Sequence, residues 1–370
     1  MAALIAFNAY MLSLVVSDKI DYNEDDDEDD DSDDNDEDDD DHGPPQLPPT
    51  IFLPGLLFDI HVLSQKQCIE QFNFSSRQII EMSTLLDLLA LVKTDKGDCA
   101  LAVEALYLTL YWLSSPTSLN CMQMVFNWHP SAISCLIRKT IAILAMWWSH
   151  ILMWDSNQLT REQLEMYSGA VAAWGGHAAV FGFLDGTVWK TCQPSFGQQL
   201  MYNGHKCYHG LKYQALVAPD GIIIHLSHAA WGNVHDLTIY RNSGLPELLQ
   251  EHAWRHWGIG RLAIYGDPAY QLGTHVLQPY HAHALMTHRQ HEFNHNMAKQ
   301  WVVAEWALGK IIWYFSALDF SPTQWVLSTP LALHFKVAVL FTNLHTCYYG
   351  SQTGRRFDLD SPTAAEYLSH

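Results

Sequence analysis

Near residue 178 the period of the apolar residues changes, and that change divides what the chain can fold into. From about 75 to 175 the apolar residues recur at three- and four-residue spacing. The runs are STLLDLLALVK, CALAVEALYLTLYWL, SAISCLIRKTIAILAMWWSHIL and TREQLEMYSGAVAAW. This spacing lines one face of a helix. Past 178 the apolar runs become short or alternating, in AVFGFLDG, CYHGLKYQALVAPDGIIIHLSHAAWG and GRLAIYGD. These read as strands, and PDG at 219–221 marks a turn, so 211–228 reads as a hairpin. Helical runs return at about 244–254, 294–315 and 330–346. Strands followed by helices predict an α/β or α+β layer fold.

Two helix starts in the first half carry capping signals. Ser131 precedes AISCLIRK. Thr160 precedes REQLEM with Gln163 three residues on, a capping-box pattern. Several short helices separated by polar turns fit a helix-turn-helix bundle, and equally a plain helical support.

The 370 residues leave room for two domains and a substantial core. The net charge of −20 misrepresents that core. Residues 21–41 hold 17 acids and no base, so the rest of the chain has 23 acids against 20 bases. Such a block repels itself and buries nothing, which predicts a disordered tract. It reads as a solvated spacer, or as a segment that binds basic partners or masks the chain's own DNA-binding surface. The Pro-rich joint GPPQLPPTIFLPG at 43–55 then forms a linker. Residues 1–16 are apolar without a basic start, which predicts a short packing helix, with a signal peptide or anchor as the alternative. The seven cysteines, at 68, 99, 121, 135, 192, 207 and 347, form no CxxC pair. That argues for a reducing compartment and against a disulfide scaffold or zinc finger.

Three acids stand in apolar surroundings: Asp185 in FGFLDGT, Asp267 in LAIYGDPAY and Glu305 in WVVAEWALGKI. A carboxylate there is costly without a partner. Asp185 and Asp267 close strand-like runs, and Glu305 lies in a helical run. Brought together, the three would make a site for hard divalent cations, the apparatus that cuts phosphodiester bonds. Taken singly, a carboxylate at a strand end also serves as a turn or helix cap.

From about 181 to 310 the chain resembles the DDE nuclease domain of PIF/Harbinger transposases, in particular their fungal branch. FGFLDGT, YNGHKCYHGLKYQ, APDGII, WGNVHD, YGDPAY and FNHNMAKQWVVAEWALGKI appear in family order. Upstream, LYLTLYWLSSPTSLNCMQMVFNWHPSAISCLI is similar to the helix-turn-helix that precedes the nuclease. The resemblance implies an α/β, RNase H-like nuclease domain, a mixed sheet with flanking helices, at 178–346. Before it would come an all-α, helix-turn-helix-like domain at 75–175, the disordered acidic tract and linker at 21–55, and an apolar helix at 1–20. A tail would follow at 347–370. The family's catalytic acids carry over onto Asp185, Asp267 and Glu305, with Mg²⁺ or Mn²⁺, two ions, as cofactor. Asp236, in GNVHD, matches a further acidic position and is a candidate fourth metal ligand. Its local alternative is a hydrogen bond to the backbone that follows it. DNA as substrate, a separate Myb-like DNA-binding partner and nuclear residence are likewise implied by the family; no membrane partner is expected, since the apolar stretch at 1–16 is short for a span.

Other residues invite chemistry. His205, Cys207 and His209 have the composition of a zinc site, but i,i+4 spacing on a strand does not converge on one ion. They are assigned to nucleic-acid or supporting contacts. His281, His283, His288, His291 and His295 form a polar cluster that reads as solvated or, less simply, metal-binding. Lys206, Lys212, Lys299 and Lys310 read as phosphate contacts or as solubility lysines.

The chain departs from the family where Arg is usual, at Trp189, Gln193, Cys207 and Gln300, and Tyr111 and Trp112 fill a stretch of the helix-turn-helix that is often basic. Leu308 replaces a usual Phe. With 9 Arg against 14 Trp and 21 His, the pattern fits a copy whose Arg codons have decayed, or ordinary drift. Two functions follow. One is a divalent-metal-dependent DNA endonuclease or transposase. The other is a catalytically silent, transposon-derived module that binds DNA or a protein. A histidine-rich metal hydrolase is a third idea, resting on His count alone.

Overall fold

The structure is a computed structural model. It describes residues 63–369 apart from 89, 257–259, 271, 282–285, 321–323 and 327–328. The segments expected to form an apolar helix, acidic tract and linker before residue 56 lie outside the described residues.

The helical half runs α1 (Gln65–Phe72), α2 (Ser76–Leu85), a ribbon of β1 (Leu91–Lys93) and β2 (Cys99–Leu101), α3 (Ala102–Ser114), α4 (Leu119–Phe126), α5 (Pro130–Trp148), α6 (Ile151–Trp154) and α7 (Arg161–Ala173). Ser64 and Ser75 close capping boxes on α1 and α2, and Thr160 caps α7 by accepting from the Gln163 amide. Two local expectations change. α5 is capped by His129 with Pro130 as its first residue, so it starts before Ser131. STLLDLLALVK does not stay helical: α2 stops at Leu85 and Asp87 takes a left-handed φ of 49°. LVK then alternates exposed and buried and pairs with β2. α5 is long and apolar enough to cross a membrane, but half of its apolar window is buried in the core.

The second half builds one mixed sheet. Its elements are β3 (Val180–Lys190), α8 (Gln198–Met201), β4 (Tyr202–Asn203), β5 (Tyr208–Val217), β6 (Ile223–Leu226), β7 (Ala230–Trp231), α9 (Asp236–Asn242), α10 (Leu245–His252), β8 (Ala263–Gly266), β9 (Val276–Leu277) and α11 (His288–Tyr314). A 3₁₀ turn (Ser316–Asp319), α12 (Leu331–Tyr349), α13 (Gln352–Phe357) and α14 (Ala364–Tyr367) complete it. The strand order is β4-β5-β3-β8-β9, and β6 and β7 also pair with β5. β3 runs antiparallel to β5 and parallel to β8, and β9 is parallel to β8. The expected 211–228 hairpin is β5–β6, turned at Gly221 with φ 93°. Only glycine takes that angle cheaply.

Strand alternation puts Phe181, Phe183, Asp185, Thr187 and Trp189 on one face of β3. C-terminal aromatics cover that face. Phe357 stacks on Phe183 at 6.0 Å between ring centroids, and Phe335 stacks on Trp189 at 5.4 Å and on Tyr213 at 4.1 Å. Residues 350–369, within the tail expected at 347–370, contribute Phe357, Ala364, Tyr367 and Leu368 to the core. The two halves share that core: Trp112 meets His334 edge-on at 4.9 Å, and Asn73 donates to the Tyr314 carbonyl.

Asn343 on α12 fastens this layer. Its Oδ1 accepts from the Ile223 amide, and its Nδ2 donates to the Ile223 carbonyl and the Tyr367 hydroxyl, all at 2.8–2.9 Å and buried. Asn343→Ala strands these groups. Each buried unpaired group costs about 1–3 kcal/mol, so urea denaturation is expected to show a loss of roughly 3 kcal/mol.

Candidate active site

Parallel pairing brings the first two acids together. Leu184 on β3 pairs with Gly266 on β8, so the next residues, Asp185 and Asp267, come side by side. Only β8 ends there. β3 runs on to Lys190 against β5, with Asp185 opposite Ala215, because Trp189 is buried farther along the same strand. Asp185 therefore lies within its strand and not at the strand's end, as the sequence pattern had predicted.

Glu305 arrives from α11. One helical turn earlier, Trp301 Nε1 donates to the Leu184 carbonyl at 3.1 Å, fixing this helix face beside Asp185. Residues i and i+4 share a helix face, so Glu305 follows Trp301 onto the site, and its side chain stays exposed. Asp236 opens α9. Its Oδ1 lies 2.7 Å from Lys212 Nζ, and its carbonyl accepts from Gln214 Nε2 at 2.5 Å. Its carboxylate thus engages a lysine instead of the backbone that follows it, and His235 occupies the helix-capping position.

Asp185 and Asp267 feel the other acids of the site. Burial drives the Asp185 carboxyl up to about 7, and the neighbouring Asp267, Glu305 and Asp236 add to the rise. The Gly186 amide, donating to Asp185 Oδ1 at 2.7 Å, opposes it. Asp267 is raised chiefly by burial and further by Asp236; the Ala269 and Tyr270 amides and Lys212 hold it down. Tyr270 lies buried against the cluster, its phenol pushed well above its usual range by burial and then by Asp236, Asp267 and Asp185.

The donors are all carboxylate oxygens carried on two strands and two helices, the chemistry of a hard divalent cation site. Burial first, and the neighbouring acids second, disfavour a charged Asp185, and a bound cation would offset both. The side chains are apposed without closing a ligand shell. Among the described residues no three His, Cys, Asp or Glu are grouped tightly enough to hold an ion.

The remaining sequence candidates separate. Lys212 is not a phosphate contact: it is 8% exposed and bound to Asp236 and, at 3.0 Å, to the Val234 carbonyl. Lys206 and Lys299 are exposed, and Lys310 is half-buried, its ammonium lowered by burial and then by Arg355. His205 and Cys207 belong to the β4–β5 turn, and His209 lies in β5 paired with Tyr202. In the turn Asn203 Oδ1 accepts from the His205 and Lys206 amides, and Cys207 adopts φ 57°. His288, His291 and His295 lie in the first turns of α11, and His283 is outside the described residues. All seven cysteines are free.

Three of the positions read as departures are interior. Trp189 is buried and donates to the Leu318 carbonyl; Gln300 is buried and donates to the Trp174 carbonyl at 3.0 Å; Leu308 is 8% exposed. An Arg at 189 or 300 would be a buried charge, so those two residues carry no missing DNA contact here.

Sequence reasoning took Lys212 for a phosphate contact or solubility lysine and missed its pairing with Asp236, and it did not single out Tyr270 at all. Lys212 had a signal: it and Gln214 are the polar phase of an otherwise apolar strand, HGLKYQALV. Tyr270 had none, since its place depends on how the chain turns after Asp267.

Residues 184–343 match the family model described as DDE superfamily endonuclease. The match takes in Asp185, Asp236, Asp267 and Glu305, and supports a DDE transposase-like relationship. No curated protein and no solved structure matches the chain.

Proposed function

We propose that this chain is a DDE endonuclease of the Harbinger type that cuts DNA phosphodiester bonds. The observation that carries the reading is the β3–β8 register, which sets Asp185 beside Asp267 with Glu305 close enough to raise the Asp185 carboxyl. The sheet supports an RNase H-like fold: antiparallel strands on one side of β3, parallel strands on the other, and a long helix over the junction.

In this reading Asp185, Asp267 and Glu305 hold Mg²⁺ or Mn²⁺, two ions. The chemistry these carboxylates would gain from such ions is polarisation of the phosphate and activation of water or a 3′-hydroxyl near neutral pH. The chain's own groups supply orientation. The Gly186 amide fixes Asp185, the Ala269 amide fixes Asp267 at 3.0 Å, and Lys212 fixes Asp236. Asp236 acts mainly by setting the charge of the cluster, because its Oδ1 is already taken. A separate Myb-like DNA-binding partner and nuclear residence belong to the same proposal, on resemblance.

The silent-module reading draws on two observations, the ligand shell left open and a lysine seated on one of the four acids. A supercoiled-plasmid assay separates the two. Purified protein in Mg²⁺ or Mn²⁺ is expected to nick the plasmid, and EDTA to stop it. DNA binding without nicking in either metal would establish the silent module.

A further inference from the structure

We infer that the Tyr270 hydroxyl is a positioning group of the acid site, donating a hydrogen bond to the carboxylates that flank Gly186; this deepens the nuclease reading and rests on it. The ring is 2% exposed and locked. A Cβ on Gly266 would stand 2.6 Å from its Cδ2, and Tyr240 packs edge-on at 6.0 Å between centroids. The hydroxyl it carries is buried and has no hydrogen-bond partner among the described residues. An unpaired buried hydroxyl lowers stability, so packing alone would be served better by Phe.

The hydroxyl's location indicates what it is for. A Cβ built on Gly186 would stand 3.7 Å from Tyr270 Oη and 3.3 Å from Asp236 Oδ1. Phenol and carboxylate thus converge on the bare backbone beside Asp185, in a place that only a glycine leaves open. A phenol at neutral pH is a donor, and ionised carboxylates are acceptors only. Lys212 already holds one Asp236 oxygen. The missing partner is therefore a remaining oxygen of Asp185, Asp236 or Asp267, brought within reach when the cluster draws together.

Tyr270→Phe keeps the ring and removes the hydroxyl. Three quantities are compared in full-length protein: the metal-free thermal midpoint, Mn²⁺ binding by electron paramagnetic resonance, and plasmid nicking in Mg²⁺. Loss of a group that orients metal ligands typically costs about 10-fold or more in affinity or activity. Y270F is expected to bind Mn²⁺ and nick about 10-fold less well, with its midpoint unchanged or up to roughly 3 °C higher. Gly186→Ala, which places a methyl between phenol and carboxylate, should weaken Mn²⁺ binding likewise. Wild-type Mn²⁺ binding by Y270F overturns the inference. So does a midpoint more than about 3 °C lower, which would show the hydroxyl bonded within the fold. If the wild type binds Mn²⁺ but does not nick, the nuclease reading fails alone and the Mn²⁺ comparison still decides the role of Tyr270. A wild type that binds no Mn²⁺ overturns both.

Discussion

Asp185→Asn is expected to abolish metal-dependent nicking, by about 10³-fold or more, while making the metal-free protein more stable at neutral pH. Loss of a central charged group in a catalytic unit commonly has an effect of that size. The gain in stability follows from the same burial. Burial raises the Asp185 carboxyl from its ordinary 3.8 to about 7 in the fold. Its folded value is raised, so its contribution to stability is fully present below about pH 4 and is lost as the pH rises through 7. The loss amounts to about 2–4 kcal/mol. Asn keeps the oxygen that accepts from the Gly186 amide and carries no charge. Wild type and D185N should therefore denature alike at pH 4, with D185N the more stable at pH 8. Urea midpoints across that range measure it. A difference that stays constant with pH would mean that Asp185 is solvated and not crowded by the other acids.

Lys212→Met is expected to move stability in the opposite direction and to touch the site as well. Its ammonium is the buried cation on this cluster, binding Asp236 and the Val234 carbonyl. Removing one partner of a buried pair leaves the other uncompensated, at a cost of about 3–5 kcal/mol when both are buried. Asp236 keeps 28% of its side chain exposed, which reduces the cost to about 2–3 kcal/mol. Asp236→Asn in the same chain should recover part of it, giving a coupling energy of about 1 kcal/mol or more. Strictly additive losses would show that the ion pair carries no stability of its own. Nicking by K212M should fall as well, because Asp236 then swings free beside Asp267.

These effects turn on contacts that were unevenly legible in the sequence. Helix spans were readable to within a residue or so at the ends that mattered: the 294–315 run overlaps α11, which closes at Tyr314, and the 330–346 run overlaps α12, which opens at Leu331 and is buried nearly all round. The 211–228 hairpin was readable from PDG. What failed were boundaries set by distant partners. Gly186 and Thr187 look like a strand end, yet β5 and the buried Trp189 carry β3 five residues beyond Asp185. LVK looks helical beside LLDLLA, but the left-handed Asp87 turns it into a strand.

At the site, Asp185, Asp267 and Glu305 could be picked out as acids in apolar company. Their mutual placement depends on a parallel register that no local pattern encodes. Lys212 shows the limit most plainly. A lysine in a strand reads as a surface cation until the sheet places Asp236 2.7 Å away. Trp189 and Gln300 show its converse: residues read as lost surface contacts prove to be packed inside, where no phosphate reaches.

The central claim is that Asp185, Asp267 and Glu305 form one hydrolytic centre. Groups that act as a unit are strongly non-additive. The most direct measurement is therefore plasmid nicking in Mg²⁺ by D185N, D267N, E305Q and the double variant D185N/E305Q, beside the wild type. All four variants are predicted to fall to the same floor, with the double variant no slower than either of its parents. Independent, multiplying losses in the double variant, or near wild-type nicking by any of the single variants, would contradict a shared centre.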